Sequence, residues 1–212
     1  MFGIDNYPGF VLAAIVLNLT PGLDTIYILT RSVSQGKAAG LASVAGIMSG
    51  CLFHVLFAAF GLSLILSTSA RVFAAVKWAG AIYLVFLGIR MIATRPSFLE
   101  NLKGNGATRG DIARIYRQGV LTNVLNPKVA LFFMSFLPQF IQPAQPYGPL
   151  PFLILGASFL VTGTLWCLAL TFFAARMTHA LRHHPATGHW LHKCSGMIFI
   201  GFGLKIALTR SA

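Results

Sequence analysis

Asn18-Leu19-Thr20-Pro21-Gly22-Leu23-Asp24 interrupts an apolar run with a helix breaker, a glycine and a carboxylate. Asn123-Val124-Leu125-Asn126-Pro127-Lys128 interrupts a second apolar run in the same way. Such residues are costliest inside a bilayer, where nothing solvates a charge or an unpaired backbone group.

The composition places both interruptions there. The 212 residues are 56% hydrophobic and 9% charged, with a mean hydropathy of +0.76. Soluble domains are roughly a quarter charged, so this chain reads as an integral membrane protein. Its acids are Asp5, Asp24, Glu100 and Asp111, against sixteen Lys and Arg and a formal charge of +12. In a soluble protein that excess would point to nucleic acid. Here no basic patch with interleaved aromatics stands outside the apolar segments, which removes that class. Met1-Phe2-Gly3-Ile4-Asp5 lacks the basic start of a cleavable signal peptide. Cys51, Cys167 and Cys194 all fall in apolar segments and read as small packing residues rather than a disulfide or metal set.

A spanning helix needs about 20 mostly apolar residues. Six segments meet this: about Tyr7 to Thr30, Ala39 to Leu66, Val72 to Ala93, Gly119 to Ile141, Phe152 to Ala175 and Leu191 to Leu208. Pro143, Pro146, Pro149 and Pro151 separate the fourth from the fifth. The 1–2, 3–4 and 5–6 loops hold eleven of the sixteen basic residues, and the 4–5 loop holds none. Basic loops stay in the cytoplasm, so both termini are expected outside, and the excess charge faces anionic lipid.

In this orientation the first block of three helices begins outside and ends inside, and the second begins inside and ends outside. The halves echo each other. Lys77, Gly80, Tyr83 and Phe86 in segment 3 match Lys193, Gly196, Phe199 and Phe202 in segment 6, and Thr20-Pro21 matches Asn126-Pro127. The expected fold is therefore all-α and integral to the membrane. It has six transmembrane helices in two inverted three-helix repeats, with helices 1 and 4 interrupted at Pro21 and Pro127. Repeat 1 covers about residues 7–94, the cytoplasmic loop about 95–117 and repeat 2 about 118–209. Secondary transporters commonly use this design, with the site where interrupted helices meet.

Thr20-Pro21 and Asn126-Pro127 each have the form of a helix start, a capping side chain followed by proline at the first helical position. Two such starts facing each other would hold a carboxylate on free N–H groups. The alternative is an ordinary proline kink. Asp24 lies one turn past Pro21, and Lys128 is the only basic residue deep in segments 1, 2, 4 or 5. They are expected to pair, directly or through substrate or water. An interior carboxylate can then act as a proton or substrate switch; a purely structural ion pair is the alternative.

Asn18, Thr20, Thr122 and Asn123 offer hydrogen-bonding groups that serve either helix contacts or substrate. His54 reads as a hydrogen-bonded core residue. Gly40, Gly46, Gly50, Gly156 and Gly163 let helices approach closely. His179, His183, His184, His189 and His192 crowd the 5–6 loop, but with no Cys or acid beside them they are not taken as a metal site. No cofactor is expected. The motifs of hydrolases and nucleotide-binding enzymes are absent, and four acids leave little for acid–base catalysis.

Leu19 to Thr25, then Arg31-Ser32-Val33-Ser34-Gln35-Gly36 and Gly40, resembles the first-helix signature of the LysE/RhtB family of amino-acid exporters. Phe86-Leu87-Gly88, the run Gln118 to Lys128 and Phe136-Leu137-Pro138-Gln139-Phe140 resemble the same family, so the likeness spans nearly the whole chain. The family usually carries Pro-Gly-Pro-Asp; here Leu23 replaces the second proline, which should leave a more regular second half-helix. The resemblance implies an exporter of amino acids or close derivatives in the cytoplasmic membrane, of homoserine, threonine, leucine or lysine type, driven by the proton gradient. It makes Pro21, Gly22, Asp24, Asn126, Pro127 and Lys128 the central residues; Thr20 and Asn123 join them as candidates from the reading of the breaks. Homo-oligomerisation is compatible with it. A transporter of another solute or of a metal ion, a membrane scaffold and a membrane enzyme are the competing classes.

Overall fold

In the computed structural model, described over residues 2–62, 112–142 and 145–174 with single helical residues between 75 and 93 and between 176 and 204, the chain is all helical. Among the described residues the sole extended pairing is a bridge between Ile4 and Ile141. We number the helices α1 (Tyr7–Leu19), α2 (Leu23–Gln35), α3 (Lys37–Phe57), α4 (Ile112–Val124), α5 (Pro127–Leu131) and α6 (Leu150–Phe172). α3 runs on as a π turn over Ala58–Leu62. α5 runs on as a π turn over Phe132–Phe136 and a 3-10 turn over Leu137–Phe140.

Lys37–Leu62 and Leu150–Phe172 are each long and apolar enough to cross a bilayer unaided. α1 with α2, bent by 51°, and α4 with α5 and its extension, bent by 45°, pass the same test as pairs. Large apolar side chains on these helices face outward, Leu12 and Leu165 among them at about two-thirds exposure, as does Leu125 in the break between α4 and α5. That surface suits lipid rather than water. The helices overrun the expected segments at their polar ends: α2 continues to Gln35, and α4 begins at Ile112. Arg114 and Arg117, expected in the 3–4 loop, therefore sit exposed on α4. A helix need not stop where the apolar run stops, because its backbone bonds are internal.

Segments 3 and 6, the charge-rich stretch before residue 112 and the histidines at 179–192 lie outside the described residues, apart from single positions. Among the described residues Gly88 of segment 3 lies against segment 6, where a Cβ on it would meet the Gly196 carbonyl oxygen and Ile200.

Glycines set the helix spacing, as expected. α3 crosses α4 with Gly46 against Gly119, and a Cβ on Gly46 would collide with the Tyr116 carbonyl oxygen. Gly50 lies against the Val120 carbonyl and Asn123, and Gly156 of α6 lies against Val55 of α3. Because backbone, not a flexible side chain, occupies the space, Gly46→Ala must push α4 away from α3. It should lower stability by about 1–3 kcal/mol, the usual range for overpacking. Thermal unfolding in detergent tests this against Gly61→Ala, whose nearest neighbour is a Phe57 ring carbon at 3.6 Å. Equal stability of the two variants would refute the close crossing.

Two apolar cores flank the middle of the bundle. One gathers Phe10, Phe132, Phe133, Phe136, Phe140 and Phe159 with Leu17 and Leu155. The other gathers Ile28, Leu29, Val44, Ile47, Cys167 and Leu170. The N-terminal segment is stitched to the far end of the first core: Asp5 N donates to Phe140 O at 2.8 Å, and Gln142 N donates to Gly3 O at 2.9 Å.

Candidate functional site

The two breaks differ in construction. Asn126 caps α5 as its type predicts, its Oδ1 accepting from Lys128 N at 3.1 Å, with Pro127 the first helical residue. Thr20 does not cap α2. The N-cap is Gly22 in extended backbone, and Pro21 lies in the break itself. The Thr20 hydroxyl instead donates back to Val16 O at 2.8 Å and closes α1. Gly22 supplies the turn without a side chain, so the capping oxygen expected from Thr20 has no N–H to meet.

The chemistry of the breaks lies on their carbonyl side. Proline has no N–H, so it leaves the carbonyl four residues back without its helical donor. For Pro21 that carbonyl is Leu17 O, and for Pro127 it is Asn123 O. Leu17 O accepts from Lys128 Nζ at 3.2 Å, and Thr20 O accepts from the same nitrogen at 3.0 Å. Asn123 O accepts from His54 Nε2 at 3.1 Å, besides Asn126 N at 2.9 Å. A carbonyl only accepts, so His54 carries its proton on Nε2. Each proline-freed carbonyl is thus taken by a basic side chain from elsewhere in the bundle. Lys128 also places its charge at the C-terminal end of α1, where the helix dipole favours a cation.

Asp24, in the first turn of α2, answers in the opposite direction. Its Oδ2 accepts from Asn123 Nδ2 at 2.9 Å and from Asn126 Nδ2 at 3.0 Å. The α1–α2 break sends a carboxylate to the amides of the α4–α5 break, and α5 returns a lysine to the carbonyls of α1. Asp24 and Lys128 are therefore brought together without a direct ion pair, which corrects the simplest form of the expected pairing. At the end of α1 Lys128 supplies a donor to Thr20 O and a second donor to Leu17 O, which also accepts from Thr20 N at 3.2 Å.

The other candidates fall into place around this pair. Gly22 leaves room for Lys128, since a Cβ there would lie 3.2 Å from Nζ. Thr20 is buried and serves through its carbonyl rather than its hydroxyl. Thr122 bonds its own helix, at Gln118 O. Asn18 Nδ2 donates to Thr162 Oγ1 at 3.1 Å, tying α1 to α6.

Between the two cores lies a cavity of about 30 Å³, walled by Leu17, Asp24, Asn123, Lys128, Phe159, Trp166 and neighbours. By volume it holds about two waters. Asp24, Asn123 and Trp166 line it, and their Oδ1, Oδ1 and Nε1 atoms are buried without hydrogen-bond partners among the described residues. To one side, α2 is latched to α4: Tyr27 OH donates to Ile115 O, and Arg31 donates to Gln118 Oε1, each at 2.7 Å.

Sequence reasoning missed Trp166 and the bond from His54 to the proline-freed carbonyl. A tryptophan in an apolar helix carries no signal beyond packing. The His54 bond was in principle legible, because the carbonyl freed by Pro127 can be counted from sequence; its partner cannot.

Residues 15–210 match the LysE type translocator family. The chain is 30% identical over 207 residues to an uncharacterised membrane protein of Pseudomonas aeruginosa, covering 97% of this chain and 96% of that one. It is 30% identical over 203 residues to a homoserine/homoserine lactone efflux protein of Salmonella typhimurium, covering 96% of each. It is 28% identical over 213 residues to a leucine efflux protein of the same organism, covering 99% of this chain and 98% of that one. No solved structure matches the chain. The all-helical bundle, its spanning-length apolar helices and a family match over nearly its whole length agree: the chain belongs to the LysE type translocator family and is a membrane transporter rather than an enzyme.

Proposed function

We propose that this transporter exports amino acids or close derivatives across the cytoplasmic membrane in exchange for protons. The observation that carries the proposal is the interior carboxylate of Asp24, a residue of the cavity wall, fixed by two amides on one oxygen and buried without a hydrogen-bond partner at the other. An intramembrane acid without a direct ion pair is costly to keep and is by default a functional group. The named relatives handle homoserine, its lactone and leucine. All three molecules share a primary ammonium beside a carbonyl carbon, which sets the substrate class for this chain.

In this reading Thr20, Pro21, Gly22, Asp24, Asn123, Asn126, Pro127 and Lys128 form one machine. The prolines open the helices, Lys128 and the two asparagines hold the openings together, and Asp24 carries the proton. Helices α1 with α2, then α3, form one half. Helices α4 with α5, then α6, form the other. A bent pair followed by an unbroken span in each half supports two inverted repeats of three helices, segments 3 and 6 completing them. The basic loops support termini outside and a cytoplasmic-membrane location. Lipid contacts the apolar exterior, and self-association through that exterior is compatible with it.

The test is export from cells with and without the protein, over a panel of amino acids, homoserine and homoserine lactone. At least one should be released faster, and protect against toxicity, only when the protein is present. Its efflux from proteoliposomes should accelerate when the receiving side is made acidic. If no member of the panel is exported, the substrate class is wrong; if efflux ignores the pH gradient, the coupling is wrong.

A further inference from the structure

We infer that Asp24 Oδ1 and Asn123 Oδ1 bind the ammonium of the transported molecule, and that Trp166 Nε1 binds its neighbouring carbonyl oxygen. This rests on the amino-acid reading above and goes further: it assigns the two ends of the substrate and adds a specificity residue on α6.

The three atoms are buried and unpartnered among the described residues, and the residues that carry them line one cavity. Their polarity is fixed by their neighbours. Asp24 spends Oδ2 on two amide donors, so Oδ1 is its open acceptor. Asn123 must turn its Nδ2 toward that carboxylate, which only accepts, so its own Oδ1 is the open group. Trp166 Nε1 can only donate. The three unpartnered atoms therefore offer two acceptors, one of them on a carboxylate, and one neutral donor, while the Lys128 ammonium on the same wall is held by Leu17 O and Thr20 O. An ammonium has three N–H donors and no acceptor, and the carbonyl oxygen of an amino acid accepts. An anion placed on these three atoms would meet one donor and two repelling oxygens. A simple cation would leave Trp166 unsatisfied. A molecule with an ammonium at one end and a carbonyl oxygen beside it satisfies all three.

The same atoms explain exchange. Asp24 Oδ1 takes either a proton or the ammonium, and not both. A bare carboxylate is costly inside the membrane, so the site changes sides only when loaded. On the cytoplasmic face the proton leaves to water and the ammonium takes its place; on the outer face a proton displaces the ammonium. Because the carbonyl end meets a neutral donor, a lactone or an amide should serve as well as a carboxylate. The 30 Å³ cavity is smaller than such a molecule, so entry requires the flanking helices to part.

The test uses the purified full chain in proteoliposomes carrying labelled L-leucine and labelled L-homoserine. Leucinamide, 2-hydroxy-4-methylpentanoate and N-acetylleucine compete in turn. Leucinamide keeps the ammonium and should compete within about five-fold of leucine, since the neutral donor is kept. The hydroxy acid and the N-acetyl compound lack the ammonium and should be weaker by about 100-fold, as expected for losing hydrogen bonds to a buried charge. Trp166→Phe should weaken leucine and leucinamide alike, by about ten-fold for one lost donor, and leave discrimination by the ammonium intact. A hydroxy acid that competes as well as leucine overturns the inference, and so does Trp166→Phe with unchanged competition. Waters alone on the three atoms would give that second result, with a change in thermal stability only. Should Trp166→Phe fail to fold, the analogue series on the natural protein decides by itself. Failure of the function reading looks different: neither labelled amino acid is carried at all.

Discussion

Asp24→Asn should abolish proton-driven export while leaving the protein folded and inserted. Asparagine keeps an oxygen where Oδ2 now accepts from Asn123 and Asn126, so the brace between the two breaks survives. What changes is the cavity side. An amide cannot hold a proton at working pH, and it presents N–H groups where the substrate's ammonium needs an acceptor. Losing one charge-assisted contact of about 3 kcal/mol corresponds to about 100-fold in transport. Among the described residues Asp5 is the one other acid, and it is engaged with Gln142 near the N-terminus, so no nearby carboxylate substitutes. The measurement is efflux from proteoliposomes with and without an imposed pH gradient, alongside thermal unfolding. Gradient-driven efflux within about three-fold of the natural protein would remove Asp24 from the coupling role.

Lys128→Met should have the largest effect on stability. Methionine replaces the aliphatic stem of lysine and tolerates the apolar surroundings, but it cannot donate to Leu17 O and Thr20 O. Thr20 O would lose its donor, at about 1–3 kcal/mol, while Leu17 O would keep Thr20 N and lose only its second donor, at about 1 kcal/mol. A total of about 3 kcal/mol lowers the melting temperature by roughly 10 °C in a chain of this size. Export should fail as well, because the end of α1 is no longer tied to α5. The charge reversal Asp24→Lys with Lys128→Asp separates this arrangement from a simple ion pair. A simple pair would be restored by reversal. Here an aspartate at 128 turns acceptors toward the acceptors of α1, and a lysine at 24 turns donors toward two amide donors. The reversed protein should be less stable than either single variant, as read by unfolding in detergent. Recovery of stability by the double variant would mean that direct charge pairing, rather than carbonyl capping, holds the breaks together.

Both predictions follow from one piece of backbone accounting. A proline inside a membrane helix leaves a carbonyl without its donor, and there is no water to take its place. This chain does it twice, and both carbonyls recruit a basic side chain, Lys128 for Leu17 O and His54 for Asn123 O. The breaks are thereby locked to the rest of the bundle rather than hinged freely. Leu23, which departs from the family's second proline, begins a regular 13-residue α2.

Composition and hydropathy alone determined that this is a helical membrane protein, because a 9% charged chain with apolar runs of spanning length has no other stable environment. The motifs at Thr20 to Asp24 and Asn123 to Lys128 determined the family and the neighbourhood of the site, since a proline, a carboxylate and a lysine inside such runs mark it. Even the freed carbonyls, Leu17 O and Asn123 O, follow from counting four residues back from each proline. Their partners did not follow. Lys128 chooses two carbonyls over Asp24, Thr20 closes α1 instead of capping α2, and Trp166 joins a cavity more than 140 positions from Asp24 in the chain. Periodicity and propensity act within a turn or two of helix. Which donor meets which acceptor depends on how closely α3, α4 and α6 approach, and the contacts of Gly46, Gly50 and Gly156 decide that only once the helices have packed.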